Sequence, residues 1–245
     1  MNKKTIPYQE TGYFSKLMSD YLEEKEQLKP FYNHYCDIDS FVTIIEERRQ
    51  NPINRTILVE VLIQQYDNVE TSEKTKTNIK NLSNENCFTV TTGHQLNLFT
   101  GPLYFIYKIV SAINLTKELK AKYPNNDFVP VYWMATEDHD FEEINHFNLL
   151  NKRYELTKTQ TGAVGRMKLE GVEELLSELR ADLGDRNGVE EIMTLFSKYC
   201  VSSNTYGEAI KGIVNHLFGR YGLVIIDGDN AELKRVFTNE IKQRF

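Results

Sequence analysis

Apolar positions in the first third of the chain recur at helical spacing, and beyond it they gather into short strand-like runs. Phe14, Leu17, Met18, Tyr21 and Leu22 fall three to four residues apart, as on one face of a helix. Asp39-Ser40 can cap a helix over 41–47, and the same period resumes over 55–66 after Asn51-Pro52. The segment 71–86 is polar and reads as an exposed helix followed by a loop. At Cys87 the pattern changes. Cys87-Phe88-Thr89-Val90-Thr91-Thr92 is β-branched and aromatic and closes at Gly93, which predicts a strand. Pro102 then suits the first position of a helix capped by Thr100 or Gly101 and running to about residue 123. A second strand is expected over 128–135, after the Pro124-Asn125-Asn126 turn. Strand, helix and strand with a crossover of this length imply parallel neighbours joined right-handedly, the opening unit of a doubly wound α/β sheet.

Further on, 146–150 and 153–157 read as a hairpin across Asn151-Lys152, followed by helices at about 171–182, 188–199 and 205–219. The run 223–227 is a third buried strand ending in Asp227. A last helical stretch reaches Phe245 without a stop signal, so the chain is expected to be an incomplete protein.

Composition narrows the classes. Of 245 residues 40% are hydrophobic and 26% charged, with 14 Tyr and 13 Phe, which excludes a disordered or fibrous chain. The net charge of −6, from 35 acids against 29 bases, disfavours a nucleic-acid partner or an anionic membrane surface. Cys36, Cys87 and Cys200 lie far apart without CxxC spacing, signalling neither a zinc knuckle nor a disulfide framework. The longest apolar stretch, 129–135, is far short of a membrane span, and a cytoplasmic location is expected.

In an open α/β sheet ligands sit beyond the carboxyl ends of the strands, where a helix start offers free N–H groups to an anion. Three strand ends carry polar chemistry here. After the first come Thr92-Gly93-His94-Gln95 and then Thr100-Gly101-Pro102, with Lys108 two turns into the helix. The alternative for this loop is a turn whose glycines serve only the backbone. After the second strand come Glu137-Asp138-His139-Asp140-Phe141-Glu142-Glu143, able to deprotonate an amine, hold an imidazolium or bind a magnesium–nucleotide complex. The alternative there is helix capping, since Asp140 and Glu143 have capping-box spacing. After the third strand comes Asp227. No GxxxxGK[ST] loop is present.

These residues resemble the bacillithiol-biosynthesis cysteine-adding enzymes, the BshC family. The likeness rests on Thr92-Gly93-His94-Gln95, Leu98-Phe99-Thr100-Gly101-Pro102 and Lys108, on Trp133-Met134-Ala135 with 137–143 and His146, and on 222–227. It extends weakly to Asp20-Tyr21-Leu22 and Pro30-Phe31-Tyr32. The resemblance implies an α/β, Rossmann-like parallel-sheet core over 87–245, with a hairpin and helical insertion at about 146–220. A helical N-terminal segment, 1–86, would pack on that core. It further implies a ligase that joins cysteine to glucosaminyl malate, with ATP or ADP, and Mg, as expected cofactors and no tightly bound transition metal. A homodimer would form through a coiled coil missing here, and the 245 residues alone would be inactive. Catalytic roles are expected for Glu137, Asp138, His139, Asp140 and His94, although the family often has Gln at the position of His94. Substrate or nucleotide binding falls to Thr92, Gly93, Gln95, Thr100, Gly101, Lys108 and Asp227. Neither the HxGH nor the KMSKS signature of nucleotidyltransferases occurs. Two rival readings are a metal-dependent hydrolase built on Asp138, His139, Asp140 and His146, and a non-catalytic nucleotide-binding scaffold of thiol metabolism.

Overall fold

The computed structural model describes residues 4–51, 53–156 and 160–243. They fall into two compact units, Met1–Pro52 and Ile53–Phe245. The first holds α1 (Tyr8–Thr11), α2 (Lys16–Leu22) and α3 (Phe41–Arg49). The Ser15 side chain caps α2 by accepting from the Met18 N–H at 3.2 Å. Ser40 occupies the cap position of α3, yet its hydroxyl donates to the Asp37 carboxylate instead of capping.

The second unit opens with α4 (Arg55–Tyr66) and α5 (Glu73–Asn81) and continues through β1 (Cys87–His94), α6 (Leu103–Lys122) and β2 (Asp127–Met134). After α7 (Phe141–Ile144) comes a hairpin of β3 (His146–Leu149) and β4 (Lys152–Glu155). Then follow α8 (Val172–Leu183), α9 (Val189–Cys200), α10 (Tyr206–Phe218), β5 (Val224–Asp227), α11 (Ala231–Val236) and α12 (Thr238–Lys242).

β1, β2 and β5 form a parallel sheet in that order, with β2 in the middle. The central strand is covered on both faces, so Val129, Val131, Tyr132 and Met134 are all at most 2% exposed. β1 is an edge strand among the described residues, and Thr89, Thr91 and Gly93 are exposed along it. Leu62, Ile213, Val214 and Tyr206 complete the buried centre.

Residues 53–86, assigned from sequence to the N-terminal helical segment, group here with the sheet. The Tyr66 hydroxyl accepts from the Ile225 N–H at 2.8 Å, and the Thr75 hydroxyl reaches the carbonyls of Gly219 and Leu223 at 3.0 and 3.2 Å. The 71–86 segment is therefore not an exposed helix throughout: Thr75 and Ile79 are buried against the turn before β5.

Three further details correct the sequence expectation. Pro102 is extended (φ −71°, ψ 150°) and stands outside α6 as its cap residue, so the helix begins at Leu103. The hairpin turns on Leu150 and Asn151, with φ of 52° and 62°, because the register pairs Leu149 with Lys152 and places Lys152 in β4. The last helical stretch breaks at Phe237 into α11 and α12. Thr157, the expected end of the hairpin, and Phe245, the expected uncapped helix end, lie outside the described residues.

Candidate functional site at the carboxyl edge of the sheet

Parallel register places the three polar strand ends together. His94 pairs with Met134, and Met134 with Asp227. The chain leaving β2 stays tied to both neighbours, since Ala135 N–H donates to the His94 carbonyl and Gly228 N–H to the Met134 carbonyl. A short turn, Val164–Arg166, closes the edge: Val164 and Gly165 donate backbone N–H bonds to the carbonyls of Asp138 and Thr136 at 2.7 and 3.0 Å.

The first cluster joins the loops after β1 and β2. The Gln95 amide donates to Asp138 Oδ2 at 3.0 Å and to Glu143 Oε2 at 2.6 Å. Asp138 Oδ1 accepts from the backbone N–H of His139 at 2.7 Å. The Gln95 bond and these amides hold the Asp138 carboxyl below the usual aspartate range. His139 stands 89% exposed beside it, with Nδ1 3.8 Å from Asp138 Oδ1. Asp140 caps α7 by accepting from the Glu143 N–H at 3.2 Å, as the capping alternative expected. Glu137 turns away from this group, accepts from the Trp133 indole at 3.2 Å and lies over Gly228, where a Cβ would collide with its carboxylate.

The residues of the first loop divide. His94 is half-buried, its ring edge-on to Phe105 with centroids 5.3 Å apart and its Nδ1 3.2 Å from the Gln95 carbonyl oxygen. Burial pushes its imidazole below the ordinary range. Lys108 donates to the Gly93 carbonyl and lines, with Thr92 and Tyr104, a groove of about 350 Å³ beside β1. Thr100 and Gly101 spend their N–H groups on the carbonyls of Asn97 and Leu98. Gly101 (φ 57°) approaches the Asn97 side chain so closely that any Cβ would collide with it.

The second cluster is a cavity of about 360 Å³ at the ends of β2 and β5. Thr136 Oγ1 and the Asp229 N–H both donate to Asp227 Oδ1, the latter at 3.0 Å, and the Asp227 N–H donates to Gln65 Oε1 at 3.2 Å. Asp229 is paired with Arg166 and Lys234 at 2.5 and 2.6 Å. Burial opposes its charge, but those two bonds outweigh it and keep the carboxyl below the usual range. Lys211 reaches the cavity from α10, and desolvation lowers its ammonium below the ordinary lysine range.

The structure therefore brings Gln95 to Asp138 and Lys108 to Gly93, and it leaves Asp227 in a separate cavity on the same edge. Sequence reading missed Thr136, Arg166, Lys211 and Asp229. Lys211 carried a signal: it interrupts the buried face of α10 between Ile210 and Gly212. A larger groove of about 650 Å³ between α8 and α9 holds none of the expected site residues. No group of three or more His, Cys, Asp or Glu among the described residues is arranged to hold a metal ion, and His146 bonds to Asn145. No helix among them is long and apolar enough to cross a membrane.

The family model described as bacillithiol biosynthesis BshC, N-terminal Rossmann-like domain, matches residues 1–245. A Flavobacterium johnsoniae protein described as "Putative cysteine ligase BshC" is 51% identical over 240 residues, covering 97% of this chain and 45% of the relative. Its Flavobacterium psychrophilum counterpart is 52% identical with the same coverage, and one from Bacillus anthracis is 29% identical over 235 residues, 93% of this chain and 44% of the relative. The chain thus spans about half the length of the curated relatives it matches. A parallel β1-β2-β5 sheet flanked by helices, with its polar loops gathered at the carboxyl edge, is the architecture that this match describes, and the chain belongs to the BshC family as its N-terminal Rossmann-like domain.

Proposed function

We propose that this chain supplies the Rossmann-like part of a ligase that forms an amide between the carboxyl of cysteine and the amine of glucosaminyl malate, with nucleotide activation. The observation that carries the reading is the meeting of Gln95, Asp138 and exposed His139 at the strand edge beside the Asp227 cavity. The relatives' description as cysteine ligases supports it. A carboxylate is a poor electrophile, so the reading includes ATP as the activating co-substrate. In the amide step the C–N bond forms, the bond to the activated oxygen breaks, and the amine loses a proton. A carboxylate held well ionised is a weak proton acceptor and a good anchor. Asp138 therefore positions the incoming amine, and His139 takes its proton. Dimerisation through a coiled coil outside this chain belongs to the same reading.

The test is an assay of the full-length form with cysteine, glucosaminyl malate and ATP, following the amide product by mass spectrometry alongside phosphate, ADP and AMP. We expect product coupled one-to-one to nucleotide cleavage, and none from residues 1–245 alone. Ligands retained without turnover would reject the ligase in favour of a scaffold, and product formed without nucleotide would reject activation by ATP.

A further inference from the structure

The cavity at the ends of β2 and β5 has a charge pattern that the ligase reading leaves unused. Asp229 is matched by both Arg166 and Lys234. Glu208 accepts from the Asn204 N–H at 2.9 Å, and its own N–H donates to the Thr205 hydroxyl that caps α10. Two charges remain. Lys211 donates only to the Gln65 carbonyl, at 2.9 Å, and no carboxylate of the described residues lies within ion-pair distance of it. The Gln65 side-chain nitrogen behind it is buried with no partner among the described residues, so this wall is short of acceptors. Asp227 uses Oδ1 for Thr136 and Asp229, and among the described residues no donor is bound to Oδ2.

Packing builds this cavity deliberately close to the backbone. A Cβ on Gly207 would sit 2.9 Å from the Gly165 carbonyl, and one on Gly165 would sit 2.5 Å from Thr136 Cβ. Only glycines let α10 and the 164–166 turn approach the end of β2 so nearly. The positive end of α10, with Thr205 and Gly207 in the cavity wall, lies beside Lys211.

We infer that this cavity holds the zwitterionic head of an α-amino acid, its carboxylate on Lys211 and its ammonium on Asp227. A half-buried ammonium with one acceptor and a carboxylate with an open oxygen each stand without an ion pair, Asp227 and Glu208 acting on Lys211 only from beyond contact distance, and one net-neutral ligand supplies a contact to both. A phosphate would meet Asp227 and Asp229, and a simple cation would meet Lys211. At about 360 Å³ the space is large enough for an amino acid, against ~30 Å³ for one water in the liquid. This assignment rests on the ligase reading only for the identity of the amino acid as cysteine.

Titration calorimetry on the protein with L-cysteine under reducing conditions, cysteamine and 3-mercaptopropionate tests it. Cysteamine lacks the carboxylate and mercaptopropionate lacks the ammonium. We expect each to bind at least ~10-fold more weakly than cysteine, the loss of one charge-assisted hydrogen bond. Lys211→Met should weaken cysteine and mercaptopropionate while leaving cysteamine unchanged, and Asp227→Asn should weaken cysteine and cysteamine while leaving mercaptopropionate unchanged. Misfolding cannot produce that crossed pattern. Equal affinities for the three ligands, absence of cysteine binding, or variants that weaken all three alike would overturn the assignment. Serine bound as tightly as cysteine in the crossed pattern, with no amide formed by the full-length form, would sink the ligase reading and leave the cavity assignment standing. An amide-forming enzyme whose KM for cysteine is unmoved by Lys211→Met would do the reverse.

Discussion

At the residue scale, neighbouring groups in one acidic run have different jobs because their partners differ. Asp140 is a helix cap, Glu137 is held by an indole, and Asp138 is held by an amide from the loop after β1. In the full-length form, His139→Ala should lower kcat by ~10²–10⁴-fold, the range for a general base, and should change the unfolding free energy from urea titration by less than ~0.5 kcal/mol because the side chain is exposed. Asp138→Asn should instead raise the KM for the amine substrate about tenfold. It should also alter the acid limb of stability. The folded carboxyl titrates below its unfolded value of about 3.9, so its stabilisation is present above that pH and fades as pH falls through the lower folded value. The variant should lose that part of the pH dependence. Unchanged kcat in His139→Ala would reject its role. The acids were legible in the sequence as a cluster, but their division of labour was not, because it depends on Gln95, 43 positions away along the chain.

At the scale of elements, the hairpin shows a local rule overridden. Leu150 sits at φ 52°, a conformation that costs a β-unbranched L-residue roughly 1 kcal/mol and that favours Asn or Gly. The register that forces it is fastened on both sides. Phe147 and Tyr154 stack with centroids 5.0 Å apart, the Tyr154 hydroxyl donates to Asp182 at 2.7 Å, and Lys152 pairs with Glu178 and Asp182 of α8. Leu150 itself is 58% exposed. Leu150→Asn should therefore stabilise the protein by about 1 kcal/mol, read from the shift of the urea midpoint at constant slope; a loss of stability would show that the leucine contributes packing.

At the scale of the whole molecule, α4 and α5 behave as part of the sheet layer. Val61, Leu62, Tyr66, Ile79 and Leu82 are each at most 7% exposed, and burial of each contributes about 1.5–3 kcal/mol. Losing them together removes an amount comparable with the entire stability of a domain, roughly 5–15 kcal/mol. The Ile225 N–H in β5 would also lose its Tyr66 partner. A chain beginning at residue 53 should therefore unfold cooperatively in calorimetry, and one beginning at residue 87 should show no cooperative transition. A transition of undiminished Tm from residues 87–245 would place the boundary at 86 instead.

Hydrophobic pattern with turn and cap signals determined the order of the five strands in the second unit, the helices over 55–66, 172–183, 189–200 and 206–218 to within a residue or so, and the gathering of three polar strand ends at one edge. It could do so because a buried parallel strand must be apolar on both faces and a packed helix must carry a stripe, and both requirements are local in sequence. Tertiary structure decided what those patterns leave open. The polar α5 was turned toward the core by Thr75, whose hydroxyl satisfies carbonyls 144 and 148 residues away. Gly101 was brought against the Asn97 side chain, and Lys211 and Asp227 were brought to line one cavity with Gly165 and Gly207. Partner choice among polar groups depends on which distant atoms arrive within 3 Å, and that distance exists only once the sheet has closed its register.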